Sequence, residues 1–215
     1  MKTLIAIPCL DMIPVDFASS LINLRKPDDT AYAFHANSLI YDSRNTFSAN
    51  AIEKGYDRIL WLDSDMLIMP DTLERLNRGM DENHLDYVSA LCFKRHLPTS
   101  PCVYKKLIYK QNKDGTVKAK AETLWDYPKE TLFECAGTGF GVVLTKTAML
   151  KDVWEHYGPP FQPMIQMGED LAFCYRAAQL GYKMYCDSRI KAGHVGQMVY
   201  TESIYLNQQK GETET

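Results

Sequence analysis

The first 90 residues alternate short apolar runs of strand length with longer segments in which apolar residues recur at helical spacing. The runs predict strands over residues 3–7, 58–62 and 87–91, and the longer segments predict helices over residues 15–24, 39–54 and 69–80. The predicted buried face of the second helix consists of Leu39, Ile40, Phe47, Ala51 and Ile52. This alternation predicts an α/β fold whose mostly parallel sheet binds ligands at the carboxyl ends of its strands.

An Asp-Ser-Asp sequence directly follows the predicted strand over residues 58–62. In extended backbone, residues i and i+2 point to the same face, so Asp63 and Asp65 would converge while Ser64 points away. Two close carboxylates repel each other, and a shared Mg²⁺ or Mn²⁺ would remove that repulsion. The alternative is that the three residues only begin a turn, where Asp and Ser are common. Their place at the carboxyl end of a strand favours ligand binding.

The bulk composition predicts one soluble domain. The chain has 215 residues, 46% of them hydrophobic, and a net charge of -3 without a basic stripe for nucleic acid. Its six cysteines include no C-x-x-C pair, which argues against a zinc site and a disulfide scaffold, and Cys135 and Cys174 are expected to be buried and reduced. The apolar run at the N-terminus is too short for a signal peptide, so we expect a cytoplasmic location.

The pattern changes over residues 93–135, which we interpret as a small antiparallel insertion. Strand-like segments at 103–109 and 116–119 flank a turn at 112–115, which predicts a hairpin. Trp125 and Tyr127 follow it, and they would either stack on a ligand or pack against the hairpin. Residues 197–215 are expected to form an extension with no clear place in the sheet, and its polar end, from Gln208 to Thr215, is predicted to be disordered.

Three later features are weak signals on their own. Glycines alternate at 137, 139 and 141 before a strand over 142–144, a spacing that fits neither a dinucleotide fingerprint nor a P-loop. Glu169 and Asp170 open a predicted helix, where acids also serve as structural caps. His194 lies between glycines at 193 and 196, after a predicted strand over 182–186, and a lone histidine is most often a structural residue.

Taken together and in this order, the Asp-Ser-Asp sequence, the glycine run, the acid pair and His194 resemble the nucleotide-diphospho-sugar glycosyltransferases of the GT-A fold, most closely the family 2-like enzymes. The resemblance covers residues 1–196. It implies a single Rossmann-like GT-A domain and a hexosyltransferase that uses a UDP- or GDP-sugar with Mn²⁺ or Mg²⁺. The acceptor would be a glycan, lipid or protein, and the short acceptor side would be completed by a peripheral membrane contact or a homo-oligomer contact.

The resemblance also implies roles for individual residues. Asp65 would bind the metal directly, Asp63 would contact the metal or the ribose, His194 would complete the metal shell, and Asp170 would be the catalytic base. The implied donor-binding residues are Pro8, Asp11, Arg44, Asp63, Ser64 and Asp65. The implied acceptor-side residues are Trp125, Gly139, Phe140 and Glu169. An arginine such as Arg44 could hold a phosphate with a bidentate grip, or could simply be a surface charge.

Two other function classes remain open from the sequence. A non-catalytic module that binds a sugar nucleotide would use the same scaffold. A nucleotidyltransferase is less favoured, because its glycine-rich and arginine-containing loop is absent after the first strand, where the chain has Pro8-Cys9-Leu10-Asp11-Met12. A haloacid-dehalogenase phosphatase would continue the aspartate motif with Gly-Thr, where this chain has Met66-Leu67.

Overall fold

The computed structural model describes residues 1–196 and 199–210. Its strands are β1 (Thr3–Pro8), β2 (Thr30–His35), β3 (Arg58–Leu62), β4 (Met66–Leu67), β5 (Tyr87–Leu91), β6 (Val103–Gln111), β7 (Val117–Thr123), β8 (Leu132–Cys135), β9 (Gly137–Thr138), β10 (Val142–Lys146), β11 (Met184–Lys191), β12 (Gly193–Val195) and β13 (Val199–Tyr200). Its helices are α1 (Val15–Ile22), α2 (Ile40–Glu53), α3 (Thr72–Glu82), α4 (Thr147–Tyr157), α5 (Glu169–Gln179) and α6 (Glu202–Lys210).

The central sheet has seven strands in the order β2-β1-β3-β10-β5-β11-β8. Strands β2, β1, β3, β5 and β11 run in one direction, whereas β10 and β8 run against their neighbours. The predicted α/β class with a mostly parallel sheet flanked by helices is therefore confirmed. The carboxyl ends of the five parallel strands share one edge, and this edge is where a ligand site is expected.

Helices cover both faces of the sheet, which explains why β1, β3 and β5 are buried on every residue. On one face, Ile5 and Leu60 pack with Phe17 of α1 and Leu73 of α3. The other face has a second buried cluster, formed by Ala6 and Trp61 with Phe47 of α2, Met149 of α4 and Phe173 of α5. This alternation of side chains along β1 and β3 fixes the strands between two layers of helices.

The ends of the predicted elements shift by a few residues, and two strands of the central sheet, β2 and β8, were not predicted. Strand β2 lies at the sheet edge and is only partly buried, so it lacks the continuous apolar run of β1 and β3. The prediction that Leu39 and Ile40 are buried is wrong, because they are 60% and 38% exposed at the start of α2. Gly55, just after α2, has a φ of 64°, the left-handed conformation that commonly follows the end of a helix.

Two small antiparallel sheets complete the fold. One contains the predicted hairpin, in which β6 pairs with β7 and also with β9, and Gly115 in its turn has a φ of 84°. The other joins β4, β12 and β13, so it brings the segment after β3 next to His194. The predicted strand over residues 182–186 is observed as the longer β11.

Residues 199–210 correct the expected unstructured extension. Strand β13 pairs with β12, and α6 places Tyr205 in a buried cluster with Phe93 and Tyr127. Gln208 lies within α6, while residues 197–198 and 211–215 lie outside the described residues. All six cysteines are free; Cys174 is buried as predicted, whereas Cys135 is only partly buried, which corrects its predicted burial. Among the described residues, no helix is long and apolar enough to cross a bilayer.

Candidate functional site

A cleft of about 450 Å³ opens at the carboxyl edge of the parallel strands. Each of the five strands contributes the residues at or beyond its end, which is the arrangement expected of a ligand site in an α/β sheet. The residues that line the cleft are Pro8, Cys9 and Leu10 after β1, Ser38 and Ile40 after β2, Asp63, Ser64 and Asp65 after β3, Arg95 after β5, and His194 after β11.

The Asp-Ser-Asp sequence forms a turn, not an extension of β3. The backbone N–H of Met66 donates to the carbonyl of Asp63 at 3.1 Å, and the chain then reverses into β4. The prediction of extended backbone is therefore wrong. Both carboxylates nevertheless line the cleft, together with Ser64, which was expected to point away. A turn had been the alternative to a ligand-binding role for these three residues, but in the structure they form a turn and also line the cleft.

Arg44 of α2 joins two acids that are far apart in sequence. Its guanidinium donates to Asp63 Oδ1 at 2.8 Å and to Glu169 Oε1 at 2.7 Å, and only 3% of its side chain is exposed. Burial would favour the neutral guanidine, but the carboxylates of Asp63 and Glu169 outweigh this and raise the pKa of Arg44. The ring of Phe140 lies 5.2 Å from the guanidinium carbon.

This placement corrects the expectation that Arg44 holds a phosphate. A buried guanidinium that already donates to two carboxylates is not open to the cleft. Its role in the structure is to fix the side chains of Asp63 and Glu169. Glu169 is likewise committed to this ion pair, and nothing in the described residues places it on an acceptor surface.

Asp65 and His194 meet in the cleft, 129 residues apart in sequence. The distance from His194 Nε2 to Asp65 Oδ2 is 3.3 Å, and His194 Nδ1 lies 2.9 Å from the carbonyl oxygen of Phe93. A carbonyl only accepts, so Nδ1 carries a proton and Nε2 faces the carboxylate. Burial favours the neutral ring, yet the hydrogen bonds to Asp65 and Phe93 outweigh it and raise the pKa of His194.

Arg95 is a second partner of Asp65. Its Nη1 donates to Asp65 Oδ2 at 2.6 Å, and its side chain remains 50% exposed in the cleft. Burial alone would raise the pKa of Asp65, but the hydrogen bond from His194 and the positive charges of His194 and Arg95 lower it. Asp65 is therefore an ionised carboxylate that faces two cationic or hydrogen-bonding groups.

The residues at the cleft fit a divalent cation only in part. Among the described residues, no group of three or more His, Cys, Asp or Glu side chains is arranged to hold a metal. Asp65 and His194 supply a carboxylate oxygen and an imidazole nitrogen on one side, which are ligands suited to Mn²⁺. Asp63, the third predicted ligand, has one oxygen bound to Arg44. Two protein ligands would leave the other positions to water and phosphate oxygens.

Asp170 lies at the start of α5, next to Gly139. A Cβ added to Gly139 would lie 3.8 Å from Asp170 Oδ2, so the glycine allows the backbone to approach the carboxylate. Burial and the negative charge of Glu169 raise the pKa of Asp170 to about 6, while the positive charge of Arg44 opposes the shift. A carboxylate with this pKa is ionised at neutral pH and able to accept a proton.

Seven predicted site residues are not part of the cleft lining: Arg44, Gly139, Glu169 and Asp170, described above, and Phe140, Trp125 and Asp11. Phe140 is 2% exposed and packs against Trp61 and Phe161 in the core, which corrects its expected acceptor-side role. Trp125 is 54% exposed near the base of the hairpin, and among the described residues it is not part of the cleft lining. Asp11 is also exposed and outside that lining, whereas Pro8 lies within it.

The cleft residues that were not predicted from the sequence include Arg95, Ser38 and Ile40. Ser38 and Ile40 follow β2, and because β2 was not predicted, no site residues were expected after it. Arg95 follows β5, which was predicted. The rule that sites lie after parallel strands could have selected the loop after β5, and a basic residue in that loop was the available signal.

No family model matches this sequence, and no curated protein matches it. Among solved structures, the chain is similar to A197 from STIV, with 21% sequence identity and a TM-score of 0.60 over 91% of this chain and 86% of that one. It is also similar to GalNAc-T7, solved with UDP, GalNAc and Mn²⁺, with 11% identity and a TM-score of 0.58. The fold is GT-A-like. The second match covers 91% of this chain but 43% of GalNAc-T7, and identities at this level show the fold alone.

Proposed function

We propose that this chain is a metal-dependent glycosyltransferase that moves a sugar from a nucleoside-diphosphate donor, a UDP- or GDP-sugar, to a hydroxyl acceptor. One observation carries the proposal: Asp65 and His194 meet at 3.3 Å in a cleft built from the carboxyl ends of five parallel strands. Support also comes from the GT-A-like fold, which this chain shares with a protein solved with UDP, GalNAc and Mn²⁺.

The donor would occupy the cleft. Pro8, Ser38 and Ile40 form the part that lies after β1 and β2, which suits the base and ribose of a nucleotide. Arg95 is positioned beside Asp65 and is half exposed, so its guanidinium can turn from the carboxylate to a diphosphate with little rearrangement of the backbone. Arg95 thus takes the phosphate-binding role that the sequence assigned to Arg44.

Asp65 and His194 would hold Mn²⁺ or Mg²⁺. When bound, the cation neutralises the negative charge that develops on the departing nucleoside diphosphate. The hydrogen bond from His194 Nδ1 to the Phe93 carbonyl orients the ring so that Nε2 faces Asp65. Arg44 holds Asp63 beside them, so the carboxylate can contact the ribose or the cation without swinging away.

Asp170 would act as the general base towards the acceptor hydroxyl. Burial raises the pKa of Asp170 to about 6, so its carboxylate is ionised at neutral pH and is basic enough to accept a proton from the acceptor hydroxyl. The acids around Arg44 thereby divide into two roles: Glu169 maintains the ion pair with Arg44, and Asp170 is free to take the proton.

The second candidate, a non-catalytic sugar-nucleotide binding module, has one observation in its favour. Asp63 and Asp65 each have an arginine partner, Arg44 and Arg95, so the aspartate pair is already neutralised by protein groups. Such a cleft could bind a nucleotide without a metal. Turnover distinguishes the two candidates, because only the transferase would release a nucleoside diphosphate from a sugar nucleotide in a metal-dependent manner.

The test begins with calorimetric titration of UDP and GDP in the presence of MnCl₂. We expect nucleotide binding that Mn²⁺ strengthens in the wild type, loss of that strengthening in Asp65→Asn, and weaker binding in Arg95→Met. Asp28→Asn is the matched control, because Asp28 is an exposed aspartate just before β2, at the opposite edge of the sheet. Unchanged Mn²⁺-dependent binding in Asp65→Asn would refute the metal assignment.

The catalytic role of Asp170 needs a second measurement. Asp170→Asn should keep its affinity for the nucleotide while losing the release of nucleoside diphosphate from a sugar nucleotide. A large loss of nucleotide affinity in this variant would instead make Asp170 a structural or donor-binding residue. No metal-dependent turnover by the wild type, with nucleotide binding intact, would favour the binding module.

A further inference from the structure

The outward face of the β6–β7 hairpin is rich in lysine. Residues paired across the two strands project to the same side of the ribbon. On this side the cross-strand pairs are Lys106 with Glu122, Ile108 with Lys120, and Lys110 with Lys118. We call Lys106, Lys110, Lys118 and Lys120 the lysine face, and all four are exposed.

The opposite side of the ribbon attaches the hairpin to the domain. Leu107 Cδ1 lies 3.2 Å from the position that a Cβ on Gly137 would occupy, and the rings of Tyr109 and Tyr175 lie 5.7 Å apart. Gly137 is in β9 and Tyr175 is in α5. Because these residues alternate with the lysines along the strand, the lysine face points away from the body of the protein.

The hairpin concentrates positive charge on a chain that is negative overall. Residues 103–123 hold six of the 24 Lys and Arg residues but two of the 27 Asp and Glu residues. Lys110 and Lys118 lie directly opposite each other, an arrangement of like charges that destabilises a strand pair. Lys120 has an acidic partner on this face, Glu122, at 3.1 Å. Lys106 lies opposite the same glutamate, whereas Lys110 and Lys118 make no ion pair among the described residues, so their charge is available to an external anionic partner.

The form of the charge indicates the kind of partner. All the basic residues between 103 and 123 are lysines, which act as point charges and lack the planar fork with which arginine reads a particular phosphate or carboxylate. They lie along an exposed two-stranded ribbon whose strand β6 is nine residues long, about 30 Å. A diffuse array of this kind matches a planar anionic surface better than one bound molecule.

An exposed tryptophan lies at the base of the hairpin. Trp125 comes two residues after β7 and is 54% exposed, and the backbone N–H of Leu124 donates to the carbonyl of Val103, which holds this segment at the hairpin base. Tryptophan is favoured at the boundary between water and lipid. We infer that the lysine face docks this protein on a lipid bilayer that carries acidic headgroups, with Trp125 at the bilayer interface.

Docking of this kind requires neither a donor nor a metal, so it stands apart from the proposed transfer reaction. Its consequence for acceptors does rest on the proposed function. The start of the hairpin is close to Asp170, the proposed proton acceptor. The N–H of Gly139 donates to the carbonyl of Cys102, just before β6, and Gly139 lies beside Asp170. A docked molecule would present Asp170 near acceptors that are carried on the membrane.

Sedimentation with sucrose-loaded vesicles tests the docking. We expect the wild type to bind phosphatidylcholine vesicles that contain about 30% phosphatidylserine, to ignore pure phosphatidylcholine, and to be released by about 0.5 M NaCl. In Lys110→Gln/Lys118→Gln, each lost lysine should weaken binding roughly fivefold, or about 25-fold together. This variant also removes a like-charge pair, so it should fold at least as stably as the wild type.

The matched control is Lys26→Gln/Lys54→Gln, which removes the same charge from exposed positions outside the hairpin. Its vesicle binding should stay within about twofold of the wild type, since it leaves the lysine face intact. Equal losses in the two double variants would show that net charge, and not the lysine face, controls binding. Failure to bind acidic vesicles, or retention on heparin or an oligonucleotide without vesicle binding, would overturn the inference.

Discussion

Replacement of Asp170 by asparagine should make the protein more stable at neutral pH. In the folded protein, burial and the charge of Glu169 raise the pKa of Asp170 from 3.8 to about 6. An ionised Asp170 is therefore disfavoured in the folded state relative to the unfolded chain. Below pH 4 the carboxyl is protonated in both states, and the free energy of unfolding falls as the pH rises through about 6. Asparagine does not ionise, so the free energy of unfolding of the variant does not fall for this reason as the pH rises.

The size of the effect follows from the pKa. A shift from 3.8 to about 6 at about 1.4 kcal/mol per pKa unit corresponds to about 3 kcal/mol at pH 8. Asp170 is partly exposed, so solvent screening lowers our expectation to about 2 kcal/mol. The hydrogen bond that Asp170 Oδ1 accepts from the N–H of Leu171 at 2.7 Å can be kept by the asparagine oxygen. The variant should thus gain stability at pH 8 and little at pH 4.

Urea denaturation of both proteins at pH 4 and pH 8 measures this difference. Asp16→Asn is a matched control, because Asp16 is also the second residue of its helix but is exposed. There the substitution loses only the favourable interaction with the helix dipole, about 0.3–1 kcal/mol. The two variants should therefore change stability in opposite directions at pH 8. If Asp170→Asn is destabilising like its control, or if its gain is the same at both pH values, the burial argument is wrong.

Three further predictions concern the core and the reaction. Arg44→Met should lower the free energy of unfolding by about 3–5 kcal/mol because it leaves the carboxylates of Asp63 and Glu169 without their partner. Arg25→Met, at an exposed ion pair, should leave the free energy of unfolding nearly unchanged. Gly137→Ala should destabilise the protein by about 1–3 kcal/mol, because the new Cβ would lie 2.9 Å from the Cβ of a cysteine in α5. Gly79→Ala within α3 has 3.9 Å of clearance and should stabilise the protein by about 0.5–1 kcal/mol. Thermal denaturation compares the two variants. The initial rate of release of nucleoside diphosphate should rise with pH through about 6 as Asp170 loses its proton, and a rate that is flat between pH 5 and pH 8 would contradict its role as base.

The parts of the fold that could be predicted are those whose signal is local. Strands β1, β3 and β5 are buried along their whole length, so they appear in the sequence as mostly apolar runs. The hairpin turn could be predicted from Gly115, because a glycine readily adopts the positive φ, here 84°, that the turn requires. Edge strand β2 has no such signal, because one side of it is open to solvent and its residues are only partly apolar.

The parts of the site that escaped prediction depend on contacts between distant residues. That Asp65 and His194 belong together was implied by a family resemblance, and the structure brings them to 3.3 Å. Nothing local distinguishes Arg44, which is buried between two acids, from Arg95, which faces the cleft. The sequence shows that an arginine is present. Whether that arginine orients other side chains or is available to a ligand depends on its contacts in the folded protein.

This difference between the two arginines bears on how the cleft would select a charged donor. Arg44 is enclosed, so the charge of Asp63 is balanced permanently, whereas the bond between Arg95 and Asp65 is open to solvent and exchangeable. If a cation takes the place of Arg95 beside Asp65, the guanidinium is released within reach of the phosphates that accompany that cation. The donor and the cation would then favour each other's binding to an equal degree, since coupling between two ligands is reciprocal. Without the cation, Arg95 would stay bound to Asp65 and the cleft would offer a diphosphate little positive charge. Donor binding would therefore depend on the metal.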